Sequence, residues 1–232
     1  MINVLCLKHG DKYNSDYVNR LYNMVERHLT IPHRFVCFTE SSTDLNPNID
    51  VIPLPKRIPL KGWWWKPYLF KQGHFDNNDT NLFFDLDMVI VNSIDKFLEY
   101  EPESFVGLKD VGRVFRHVPV KLGSAVMKWP ANHYSNIWND FVSSSTVTTK
   151  YRGDQDWIWE CYRTQIKFFP DIWIQSYKWE IRNRTDLIKN HDRYIFKDIK
   201  NPVIDSETSV LAFHGTPNPC DVFDPIIVDN WK

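Results

Sequence analysis

Cysteine is sparse and shows no pairing pattern: Cys6, Cys37, Cys161 and Cys220 are scattered over 232 residues. That spread excludes the close spacings used by zinc and dithiol redox sites. A secretory leader is not expected either, because MINVLCLKHGDKYN has neither a long apolar core nor a cleavage site. No run approaches the roughly 20 apolar residues that a membrane helix needs. A reducing cytoplasm is therefore the expected setting. Excess charge of one sign is also lacking, with 28 Lys+Arg against 29 Asp+Glu and both signs interspersed. No basic face follows, which argues against general binding to a nucleic-acid backbone. Internal repeats, low-complexity blocks and convincing linkers are missing as well, so a single domain over 1–232 is expected.

What the chain does have is apolar and aromatic weight. Residues that are 43% hydrophobic and 25% charged describe a globular protein. The aromatic share is 15%, including ten tryptophans. Such rings either fill a bulky core or offer flat platforms for sugars and bases.

The first forty residues read as strand, helix, strand. Ile2 to Leu7 is a short apolar run closed by His9-Gly10-Asp11. Ser15 is placed to cap a helix in which Tyr17, Leu21, Val25 and Leu29 recur on one face. Arg34 to Thr39 then reads as a second strand, favouring a parallel α/β sheet. Asp50 to Pro59, broken by three prolines, is expected to be extended or loop. A helix is expected over Trp63 to Gln72 with Pro67 in its first turn. Leu82-Phe83-Phe84 reads as a buried strand, and Met88 to Val91 is apolar again. Phe105 to Leu108, Ser124 to Met127 and Val210 to Phe213 are further strand candidates. Asn132 to Val142 and Asp154 to Cys161 are helix candidates.

Two Asp-x-Asp tripeptides occur, Asp85/Asp87 and Asp154/Asp156. About two are expected by chance in a chain of this length, so context decides between them. Asp85 directly follows the apolar run Leu82 to Phe84, at the carboxyl end of a buried strand. Open α/β sheets bind ligands at that end. Adjacent carboxylates repel unless a cation neutralises them. Hard ions such as Mn²⁺ or Mg²⁺ accept their oxygens and bridge phosphate. The plainer alternative is a pair of solvated loop acids.

The segment FFDLDMVIV at 83–91, preceded by GWWWKPYLFK at 62–71 and followed by GSAVM at 123–127, GDQDW at 153–157 and AFHGTPNP at 212–219, resembles glycosyltransferases of family 8 and their relatives. The resemblance runs from the first strand to about Pro219 and rests on the order and spacing of five individually weak motifs. It implies a GT-A type, Rossmann-like α/β fold with a largely parallel mixed sheet flanked by helices. The nucleotide-binding part would cover about 1–110, and the acceptor and sugar part about 111–232. It implies transfer of a hexose from a nucleotide-diphosphate sugar, most naturally UDP-linked, to a glycan or other hydroxyl acceptor, with retention. By the same resemblance Asp85, Asp87 and His214 would bind Mn²⁺ or Mg²⁺ together with the diphosphate. Tyr13 corresponds to an aromatic on the donor uracil, and Lys66 to a basic donor contact. Gly123, Ser124 and Ala125 match the small-residue strand under the donor sugar, and Gly215 the turn after the histidine. Asp154 and Gln155 match the pair at the sugar hydroxyls and the reacting face. Asp154 also has a structural reading as a helix N-cap, and Asp156 as a first-turn acid.

The chain departs from the pattern near its end. The family often closes its His-Gly motif with Lys-Pro-Trp, whereas Asn218-Pro219-Cys220 stands here. One expected cation is missing, and Lys61, Lys66, Arg113, Arg116 and Lys121 are candidates to replace it. Two rival functions remain in view. A haloacid-dehalogenase-like phosphatase also carries a strand-borne Asp-x-Asp, though usually near a chain start. A carbohydrate-binding module would use Trp63, Trp64 and Trp65 as platforms but leave Asp85, Asp87 and His214 without a role.

Overall fold

The first strand shows how the sequence sorts into layers. In Ile2–Lys8 (β1), Val4 and Cys6 are buried on one face with the helix Ser15–His28 (α1), and Leu5 is buried on the other. This is the two-residue period of a pleated strand packed on both sides. The computed structural model describes every residue except Arg116 and Val118, so the candidate cation Arg116 lies outside the described residues. His33–Thr39 (β2) pairs parallel with β1, completing the expected strand–helix–strand unit. Asn14, in extended conformation, takes the N-cap position assigned to Ser15, which is instead the first helical residue.

Asp50–Pro53 (β3) adds a parallel edge strand to β2 where an extended segment or loop was expected. Its proline ends the strand, where a missing amide donor does little harm. Thr80–Phe84 (β4) pairs parallel on the other side of β1. Met88–Ile90 (β5) follows the three residues Asp85, Leu86 and Asp87 that lie beyond the end of β4, and belongs to a different sheet. The short helix Asp95–Glu99 (α2) leads to Val106–Lys109 (β6) and the long strand Leu122–Pro130 (β7). With Lys167–Phe168 (β8) these complete a seven-stranded sheet in the order β3-β2-β1-β4-β7-β6-β8. Four of its pairings are parallel, and the two that flank β7 are antiparallel. The sheet is largely parallel, as the sequence suggested.

Further helices are Asn136–Ser143 (α3), Val147–Lys150 (α4) and Asp154–Tyr162 (α5). Ile174–Ser176 (β9) runs into a π-helical turn, Tyr177–Ile181. Leu187–Asn190 (β10) and Arg193–Phe196 (β11) form an antiparallel hairpin. Val210–Ala212 (β12) pairs antiparallel with β5 and parallel with β9, and Pro225–Asn230 (α6) closes the chain. One apolar core joins α1 to this three-stranded sheet; the other buries the 62–70 segment with α3 and α5 on the opposite face.

Two helix expectations need correction. Trp63 to Gln72 forms a 3₁₀ segment over Gly62–Phe70, with Pro67 well inside it. An α-helix there would drive the Pro67 ring against the carbonyl four residues back, and the tighter i→i+3 turns avoid it. The helix expected from Asn132 starts only at Asn136. Asn132 has φ +64 and its amide binds the backbone at Gly73 and Phe75, a left-handed conformation that cannot begin a helix.

Candidate functional site

β4 delivers Asp85 to the edge of the sheet, where its amide still bonds the Ala125 carbonyl at 2.8 Å. The 62–70 segment crosses that edge and brings Lys66 with it. The Lys66 ammonium, 7% exposed, donates to Asp85 Oδ2 at 2.9 Å and to Ser124 Oγ at 3.1 Å. It also lies 3.6 Å from Asp154 Oδ2, which in turn accepts from Ser124 Oγ. One cation is therefore shared by two carboxylates from β4 and α5. Burial alone would lower the Lys66 pKa, but the charges of Asp154 and Asp85 outweigh it and hold the group above its ordinary value. Asp154 is thus not the N-cap. Gly153 caps α5, and Asp154 points its carboxylate into the Lys66–Ser124 cluster.

Asp87 sits on the other side of the turn, 8% exposed, and accepts from the Tyr13 hydroxyl at 2.8 Å. Tyr13 comes from the loop after β1 and packs on Tyr17 with ring centroids 4.6 Å apart. Burial pushes Asp85 up to about 7; Lys66 opposes this and the neighbouring Asp87 adds to it. Asp87 is raised too, by burial, against the opposing Tyr13 hydrogen bond. The acid pair is therefore short of positive charge.

The β5–β12 pairing brings in the third expected ligand. Ala212 lies opposite Met88 and the Phe213 amide bonds the Asp87 carbonyl at 3.3 Å, so His214 follows directly beside the acid turn. Its Nε2 pairs with Ser176 Oγ at 2.7 Å and its ring meets Trp179 edge-on at 4.2 Å. Burial, reinforced by Lys178, lowers the imidazole to about 4, so it is neutral at physiological pH. Gly215 follows at φ +66, a conformation in which a side chain would be strained. Among the described residues, no three His, Cys, Asp or Glu side chains converge closely enough to hold a metal ion as they stand.

Gln155 lies one residue past Asp154 and its amide donates to Asp110 Oδ2 at 3.1 Å. Asp110 had no role in the sequence reading. It caps the 111–114 turn through the Gly112 amide, and its backbone presses so close to Gly123 that an added Cβ would lie 3.1 Å from the Asp110 Cα. That contact explains why Gly123 is small. Of the candidate replacement cations, Arg113 is committed to Glu180 and the Ile174 carbonyl, and Lys121 to Asp156. Lys61 is exposed ahead of the 3₁₀ segment. Lys178, whose ammonium holds the carbonyls of His214 and Thr216, was missed. It lies in a π-helical turn with no periodicity to mark it. A cavity of about 470 Å³ between the β10–β11 hairpin and Cys220–Phe223 contains none of the candidate site residues.

The fold is similar to that of GT-A type glycosyltransferases. The chain matches the glycosyltransferase GlyE of Streptococcus pneumoniae TIGR4 at 10% identity and a TM-score of 0.65, over 97% of this chain and 58% of that one. It matches the galactosyltransferase LgtC, solved with donor and acceptor sugar analogues, at 13% and 0.63, over 94% and 88% of the two chains. The bifunctional WbbM glycosyltransferase matches at 12% and 0.57, over 94% of this chain and 46% of that one. The chain thus spans less than two thirds of GlyE and of WbbM, and at these identities the likeness is one of fold. No protein-family model and no curated protein matches the sequence. No helix among the described residues is long and apolar enough to cross a membrane.

Proposed function

We propose that the protein is a glycosyltransferase that moves a hexose from a UDP-linked donor to an acceptor hydroxyl, with a divalent cation at Asp85 and Asp87. The observation that carries this reading is Lys66 held between Asp85 and Asp154 at the carboxyl end of β4, in a GT-A type sheet. The residues suit a hard cation: Asp85 and Asp87 stand on one turn where the single lysine, Lys66, is shared between Asp85 and Asp154, and His214 is held in the neutral form that ligates metals. Asp85, Asp87 and His214 would hold it. Once bound, Mn²⁺ or Mg²⁺ supplies a Lewis acid for the leaving diphosphate.

The chain's own residues supply the rest. Tyr13 orients Asp87 and offers its ring to the uracil, while Lys66 fixes the position of Asp85 before any ligand arrives. Gly123 and Ser124 keep the floor of the sugar pocket low. Asp154 anchors this floor and faces the sugar hydroxyls, and Gln155 stands at the anomeric carbon. The acceptor hydroxyl oxygen bonds to that carbon as the bond to the diphosphate breaks, UDP leaving with the electron pair and its departing phosphate oxygen taking the hydroxyl proton; retention is part of the proposal. Neither the phosphatase nor the carbohydrate-binding module is favoured by the fold, whose likeness is to solved glycosyltransferases.

The test is UDP release from a panel of UDP-hexoses in Mn²⁺, with and without sugar acceptors. Turnover of at least one donor, lost in Asp87→Asn and His214→Ala by about tenfold or more with the fold intact, supports the reading. No release from any donor would sink it.

A further inference from the structure

Lys178 is the second residue of the π-helical turn after β9. Single π turns concentrate at functional positions because the extra residue re-aims the side chains around it. Here the re-aimed group is an ammonium that donates to the carbonyl oxygens of His214 and, at 2.9 Å, Thr216. It spans the left-handed Gly215, where an added Cβ would stand 3.7 Å from Nζ. Glu180, two residues on, is engaged by Arg113, and the carboxylate whose charge reaches Lys178 is Asp87, which is beyond ion-pair distance. Among the described residues no carboxylate forms an ion pair with Lys178. An ammonium has three donors, and two neutral carbonyls use two of them without cancelling its charge. A partly buried charge without a counter-ion is costly, and a bound anion relieves that cost.

The location tells which anion. The Phe213–Asp87 backbone bond sets the His214–Thr216 turn against the Asp85/Asp87 turn, and the charge of Asp87 is felt at Lys178. Residues 216–220 carry no cation of their own, and the Asn218 amide is turned inward onto Asp221. Lys66 cannot serve, since Asp85 and Asp154 already share it. A diphosphate bound at the acid pair carries more negative charge than one divalent cation cancels.

We propose that Lys178 is a diphosphate-binding residue, its ammonium pairing with the phosphate oxygens of the donor and of the departing nucleoside diphosphate. The identity of the anion rests on the glycosyltransferase reading, whereas the existence of an anion site rests on the geometry alone.

Calorimetric titration of UDP and of inorganic pyrophosphate, each with Mn²⁺, into wild type, Lys178→Gln and Lys178→Arg separates the two. Glutamine keeps donors for the His214 and Thr216 carbonyls without the charge, which preserves the turn. Lys178→Gln should weaken both ligands by about tenfold or more, the worth of one charge-assisted hydrogen bond, and arginine should restore part of the loss. Thermal unfolding without ligand should be similar in all three. Pyrophosphate binding that depends on Lys178 in a protein that ignores UDP would overturn the nucleotide-sugar reading and support the anion site. Unchanged UDP and pyrophosphate affinity in a folded Lys178→Gln variant would overturn the role of Lys178 and leave the wider reading standing. A wild type that binds neither ligand contradicts both.

Discussion

The Tyr13 hydroxyl donates to Asp87 Oδ2 at 2.8 Å, joining the loop after β1 to the acid turn across 74 residues of sequence. The phenol holds that carboxylate in place, and its ring is offered to a base. These roles separate by substitution. Tyr13→Phe keeps the ring and should retain UDP affinity within about threefold, while Tyr13→Ala should lose about tenfold, stacking being worth about 1–3 kcal/mol per base. Calorimetry reads both variants, and equal losses would show that only the hydroxyl matters.

Lys66 compensates two carboxylates at once, so its removal should cost more than a surface charge would. Lys66→Met leaves Asp85 and Asp154 without their cation and should destabilise the fold by about 3 kcal/mol. Adding Asp154→Asn should recover part of that loss, because the two changes act on one cluster. Denaturant unfolding of the single and double variants measures the coupling, and strict additivity would count against a shared cation.

Gln155 separates catalysis from nucleotide binding. Gln155→Ala should keep affinity for UDP and Mn²⁺ yet lose transfer, because its contact counts mainly in the transition state. Asp154→Asn should weaken the sugar nucleotide relative to UDP. Unchanged turnover and unchanged discrimination in both variants would return the start of α5 to a purely structural role.

Stability should respond to pH through two half-buried histidines. His74, bonded to the Tyr68 carbonyl at 3.2 Å, is lowered to about 4 by burial, as is His214. The unfolded histidines take up protons near 6.5, so the unfolded state binds more protons between about 6.5 and 4. The stability from keeping these rings neutral is present above 6.5 and lost as pH falls toward 4. Asp85 works in the opposite sense: raised to about 7, it favours the folded state at low pH and loses that contribution as pH rises through 7. His74→Gln should therefore flatten the acid-side loss of stability. An identical pH profile for wild type and variant would show that His74 is not held neutral.

The parallel sheet was legible because β1, β2 and β4 are buried on both faces and read as continuous apolar runs, bounded by turn residues. The acid turn was legible for the same reason, since Asp85 marks where such a run stops. β8 and β9, two and three residues long, carry too little pattern to detect. Nor did the sequence disclose that Asp154 reaches Ser124 rather than capping α5, because the partner arrives from β7, 30 residues away. Lys178 escaped notice for a related reason: it reaches carbonyls 36 and 38 residues away, which no local spacing encodes.

The most direct measurement is the thermal unfolding of the protein with UDP, in Mn²⁺ and in excess chelator. A ligand that binds only the native state raises stability with the logarithm of its concentration over its dissociation constant. If Asp85 and Asp87 hold a cation that bridges the diphosphate, UDP should raise Tm in Mn²⁺ and leave it unchanged in chelator, and Asp87→Asn should remove the shift. An equal rise in Tm with and without the metal would contradict a metal-bridged diphosphate at this site.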